Sequence, residues 1–171
     1  RYCSVMVRGG ATGSRIAAEL NLPLVAWPDW HEGGGIYLQD PETGELRGYP
    51  GKNRAYFEQF YPELILPTSL NEFGWWNRPF EERPERWERA RRVLDELHTR
   101  HTHPADRVGV IIHGGFYNYF IKTLLGIGPE QEIWFVMNNA AITRIDFQAQ
   151  ETRVIYQNRL DYLPSELLSQ G

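Results

Sequence analysis

Cysteine is almost absent. Cys3 stands alone, so no internal disulfide can staple the chain, and a reducing, cytoplasmic setting is the expectation. Positive charge is not in excess either. The 18 lysines and arginines face 22 aspartates and glutamates, a net charge of −4, which leaves no general basic footprint for nucleic acid. No apolar run approaches the length of a membrane-spanning helix, and no secretory signal is visible, so neither a membrane nor a nucleic acid is expected as a partner. Repeats and low-complexity tracts are missing as well. What is present is ordinary: 171 residues, 42% hydrophobic and 23% charged, enough for a single domain over 1–171 with a real core.

The most informative stretch is Val108–Gly115, Val-Gly-Val-Ile-Ile-His-Gly-Gly. A continuous apolar run of this length reads as a buried parallel strand. The paired glycines permit a tight turn, and Phe116–Leu125 then reads as a helix. His113 is thereby placed at the carboxyl end of a strand, facing a helix N-terminus. Ligands of open α/β sheets bind at that edge, and helix N-termini attract anions.

Tyr2–Val7 is a candidate strand, broken by Gly9 and Gly10, and Ala11–Leu20 a helix with Ile16, Ala17 and Leu20 on its apolar face. Leu24–Trp27 reads as a short strand, and Trp30–Gly35 as a loop. Residues 39–80 carry turn chemistry at Asp40–Gly44, a short helix at Lys52–Tyr61, the prolines Pro62, Pro67 and Pro79 after it, and the pair Trp75–Trp76. They read as an insertion, either a cap over a substrate or a surface excursion with its own apolar cluster. Pro84–His101 is the clearest helix, with Val93, Leu94 and Leu97 as its stripe. Ala140–Phe147 and Arg153–Asn158 suggest two strands joined by a turn at Gln148–Glu151, and the tail from Leu160 reads as irregular. Arg1 is not a methionine and Tyr2–Val7 resembles the middle of an element, so the expectation is that upstream residues belong to the natural protein.

Four groups of residues carry candidate chemistry. Arg8, beside Gly9 and Gly10, offers a planar fork of donors for an anion, and Thr12 a hydroxyl or a helix cap. Ser4–Arg15 also imitates the glycine-rich turn of a dinucleotide fold, with Asp29 near the position of a ribose-binding acid. That match needs glycine at Arg8, or at Arg15 in a shifted frame, and no Tyr-x-x-x-Lys pair follows, so NAD(P) oxidoreduction is the lesser alternative. Glu32, in a glycine-rich loop, is a candidate general acid. His98, His101 and His103 read as a helix C-terminus rather than a metal site.

Taken in order, these stretches resemble the histidine phosphatase, or phosphoglycerate mutase-like, superfamily. Ser4–Gly13 is similar to its Ser-x-x-x-Arg-Ala-x-x-Thr-Ala, Asp29–Glu32 to its acidic segment, Val110–Gly115 to its second-histidine motif, and Asn139–Thr143 to its Asn-x-Ser-(Ile/Val)-Thr. The resemblance implies a three-layer α/β/α sandwich with a mostly parallel sheet. It implies phosphoryl transfer through a phosphohistidine on a small phosphorylated substrate, with no metal and no cofactor. Arg8 and Gly114 would bind phosphate, His113 would donate to a phosphoryl oxygen, and Glu32 would act as proton donor and then base. Gly9, Gly13 and Ala141 depart from the pattern. The family's nucleophile lies in an Arg-His-Gly that these residues do not contain, and the segment with its strand and helix is expected upstream. The alternative is a catalytically inactive phosphate-binding or regulatory module.

Overall fold

The computed structural model describes residues 1–148 and 151–168. Four short strands, β1 (Tyr2–Cys3), β2 (Leu24–Ala26), β5 (Leu64–Ile65) and β6 (Val110–Ile111), form one parallel sheet in the order β5-β2-β1-β6. Two antiparallel hairpins stand beside it: β3 (Tyr37–Gln39) with β4 (Leu46–Gly48), and β7 (Ile142–Phe147) with β8 (Thr152–Arg159). The turn expected at Gln148–Glu151 is closed by Gln148 N–H on Glu151 O at 2.9 Å, and its centre, 149–150, lies outside the described residues.

Alternation along the strands builds the layers. Tyr2 faces a core with Trp27, Trp30, Phe116 and Phe120, to which α3 (Arg83–Arg100) adds Ala90, Val93 and Leu97. Cys3, one residue on, faces the opposite side with Val5, Leu24, Ala26 and Leu64. There α1 (Val7–Glu19) contributes Ala17 and α2 (Arg54–Phe60) contributes Phe57. With α4 (Gly114–Leu124) beside α3, helices cover both faces of the sheet. The fold is the mixed α/β architecture the sequence suggested.

Four local readings are corrected. The first strand ends at Cys3 and α1 begins at Val7, so Gly9 and Gly10 lie inside the helix instead of breaking a strand. The buried face of α1 is Gly9, Gly10, Gly13 and Ala17, while Ile16 and Leu20 are exposed. A Cβ on Gly13 would stand 2.8 Å from Leu24 Cδ2, so the small residues let the helix lie close on the sheet. Thr12 is exposed and does not cap; Met6 occupies the N-cap. Within 39–80 the chain forms more than the short helix, since β5 is the outer strand of the sheet. Among the described residues no helix is long and apolar enough to cross a membrane.

Candidate active site

Three elements end at one place. The residues after β1 open α1, so Arg8 projects from its first turn. His113 is the N-cap of α4, two residues after the end of β6. Glu32 sits on the loop after the 3₁₀ turn Pro28–Trp30, which follows β2. Arg8 Nε donates to His113 Nδ1 at 2.9 Å, and Arg8 Nη2 lies 3.7 Å from Glu32 Oε2. The side chain of Arg8 is 64% exposed and that of Glu32 27%, whereas His113 is buried. The sequence-expected trio is therefore brought together, with its arginine reaching into solvent.

The carboxylate of Glu32 rests on the N-terminus of α4. Its Oε1 accepts Phe116 N–H at 2.8 Å and Gly33 N–H at 2.8 Å, and Oε2 accepts Gly115 N–H at 3.3 Å. The N–H groups of Gly115 and Phe116 are free donors of the helix's first turn, aided by its dipole, and that of Gly33 comes from the loop itself. Close approach is possible because Gly115 has no side chain: a Cβ there would lie 2.5 Å from Oε1. At Gly114, the glycine named from sequence, an added Cβ would meet only Met137 O at 3.7 Å. Gly115→Ala is expected to push Glu32 off the helix and lower any turnover at least roughly tenfold, the loss of one charge-assisted contact, while the circular dichroism spectrum keeps its shape.

A buried network holds the Glu32 loop from behind. Arg89, 1% exposed, makes a paired contact with Glu81, Nε to Oε1 at 2.6 Å and Nη2 to Oε2 at 2.7 Å. Its Nη1 donates to the carbonyls of Asp29 (2.7 Å) and His31 (2.9 Å), and its guanidinium lies 3.6 Å from the Phe116 ring centroid. Glu81 also accepts Gly34 N–H at 3.2 Å. Trp75 and Trp76 pack on the ring of His31, at 5.5 and 4.7 Å between centroids. None of Glu81, Arg89 or His31 was picked out from sequence. The available signal was Arg89 falling four residues before Val93, on the buried stripe of α3.

Two rings are held neutral. Burial, reinforced by the charge of Arg8, pushes His113 down to about 4. Burial, reinforced by Arg89, pushes His31 down to about 2; its Nδ1–H donates to Glu32 O at 2.7 Å. An unfolded histidine titrates near 6.5, so below that pH the unfolded chain binds more protons than the folded one. Stability is thus complete above about pH 6.5 and falls as the pH drops toward about 4 for His113 and on toward about 2 for His31. The slope approaches about 1.4 kcal/mol per pH unit per ring. Urea unfolding at a series of pH values checks this, and His31→Asn should flatten the decline.

The other candidates lie elsewhere. His101 pairs with Tyr2 Oη (3.1 Å) and Asp106 (3.3 Å), and His98 packs edge-on against Phe147. Among the described residues no three His, Cys, Asp or Glu gather as a metal set. Asp29 pairs with Arg92 at 3.2 Å, and the glycines of Ser4–Arg15 serve helix packing.

A family model described as the histidine phosphatase superfamily (branch 1) matches residues 1–159. No curated protein matches the chain, and no solved structure does.

Proposed function

Since this chain belongs to the histidine phosphatase superfamily, we propose that it is the greater part of a phosphoryl-transfer enzyme, a phosphatase or phosphoglycerate mutase-like protein acting on a small phosphomonoester. The observation that carries the reading is the meeting of Arg8, His113 and Glu32 at the carboxyl edge of a parallel sheet. In this reading Arg8 leaves its resting contacts and clamps the phosphoryl oxygens, with the α4 N-terminus at Gly114 beside it. His113 donates to one equatorial oxygen. Glu32 gives a proton to the leaving alcohol, and its carboxylate is then received by the N–H groups of Gly33 and Phe116. It recovers a proton from the water or alcohol that takes the phosphoryl group. Positive charge comes from protein side chains, so no metal and no cofactor is assigned. A cytoplasmic setting is part of the same reading.

The nucleophile belongs, in this proposal, to an Arg-His-Gly segment upstream of Arg1. Two observations support it. The 171 residues contain no Arg-His-Gly. Among the described residues, β6 pairs only with β1 and has no strand on its other edge, although apolar residues pack on both of its faces. Residues 39–80 would then border the substrate. The same absence of a nucleophile favours the second reading, a phosphate-binding module without turnover. The full-length protein incubated with an aryl phosphate separates the two. Release of phenolate with an acid-labile phosphoprotein supports the enzyme; binding of phosphate with neither supports the module.

A further inference from the structure

His113 has a hydrogen-bond partner at each ring nitrogen, and the two partners fix its proton. Arg8 Nε–H can only donate, so Nδ1 at 2.9 Å must present a lone pair. The neutral ring then carries its hydrogen on Nε2, which donates to Ser4 Oγ at 2.6 Å. Ser4 is fully buried, and its Oγ also accepts Met6 N–H at 3.3 Å. Room for this hydroxyl depends on Gly9, where a Cβ would stand 2.5 Å from Oγ. In this resting state His113 has nothing to give a ligand: the Nε2 hydrogen is taken by Ser4, and Nδ1 has none.

An oxyanion entering beside the exposed Arg8 changes the balance. The guanidinium turns to the anion and uncovers Nδ1, which then faces negative charge with a lone pair. We infer that Ser4 is a positioning residue that lets His113 exchange tautomers when an oxyanion takes Arg8, the hydroxyl reversing from acceptor to donor on Nε2 while Nδ1–H donates to the anion. Protons balance without uptake. The ring carries one before and after, exchanged through solvent, and the serine keeps its own while its O–H rotates. A hydroxyl suits the place because it can serve either way, where an ammonium or a carboxylate has only one role. The inference rests on the oxyanion site proposed above.

The test is long-range proton–nitrogen correlation NMR on the full-length protein, with and without sodium tungstate, alongside tungstate titration by calorimetry. The expected result is a neutral His113 protonated at Nε2 in the free protein and at Nδ1 in the complex. Ser4→Ala should weaken tungstate binding roughly tenfold, the loss of one buried hydrogen bond. Gly9→Ala, which displaces Oγ without removing it, should weaken binding in the same direction. Tungstate bound with His113 still protonated at Nε2, or protonated at both nitrogens, overturns the inference and leaves the anion site standing. Unchanged affinity in both variants overturns it too. No binding of tungstate removes both the inference and the site.

Discussion

Glu32→Gln in the full-length protein is expected to lower kcat for an aryl phosphate by roughly 10²–10⁴-fold, the range for losing a general acid–base group. Substrate affinity should hold or improve, because the substitution removes the negative charge that lies 3.7 Å from Arg8. The amide oxygen can still accept from Phe116 and Gly33, so the loop should stay in place. The loss should shrink with a leaving group acidic enough to depart unprotonated. A uniform loss across leaving groups would mean that Glu32 only holds the site together. A rise in KM with kcat intact would move it from chemistry to binding.

Arg89→Met is expected to destabilise the protein by roughly 3–5 kcal/mol, because it leaves the buried Glu81 carboxylate with only Gly34 N–H at 3.2 Å and the more distant Arg86 guanidinium at 3.9 Å. Glu81 is 3% exposed, and its paired contact with Arg89 is the shortest route to neutralising it. The same substitution strips donors from the carbonyls of Asp29 and His31, which lead into Glu32. For a chain of this size the melting temperature should fall by about ten degrees or more. Coupling it with Glu81→Leu should recover part of the loss, since two apolar side chains need no partner. Activity should not return with stability in the double variant, because the loop carbonyls remain without their donor. Urea midpoints at constant m-value measure the first effect, and turnover of the refolded double variant measures the second.

The contrast between Glu32 and Arg89 shows where the sequence was legible. Arg8, Glu32 and His113 are short-range readings: each sits at a strand end or beside glycines, and each matches a motif. Their convergence needed only the parallel sheet that Val108–Ile112 announced. Arg89 was hidden because it lies among the exposed Arg83, Arg91 and Arg92 and the half-buried Arg86, and only the helical phase separates a fully buried guanidinium from the others. Its partner Glu81 lies eight residues earlier, outside the helix, so no i,i+4 pattern pointed to it.

The face of α1 was misread for a related reason. Apolar size does not mark burial on this helix: Ile16 and Leu20 are exposed, while Gly10 and Gly13 face the sheet and Gly9 faces Ser4 and His113. Close approach, not apolar area, sets that interface. β5 escaped notice because two residues, Leu64 and Ile65, are too few for any periodicity. The contact of Ser4 with His113 spans 109 residues and depends on Gly9 lacking a side chain. No local pattern encodes it.

The claim beneath all of this is that one oxyanion binds where Arg8, His113 and Glu32 meet. A crystal structure of the full-length protein grown with tungstate tests it most directly. The account predicts density for the anion within hydrogen-bond reach of the Arg8 guanidinium and a nitrogen of His113, with Arg8 turned away from its resting contact. Tungstate seated on other residues, with Arg8 still on His113 Nδ1, would contradict it.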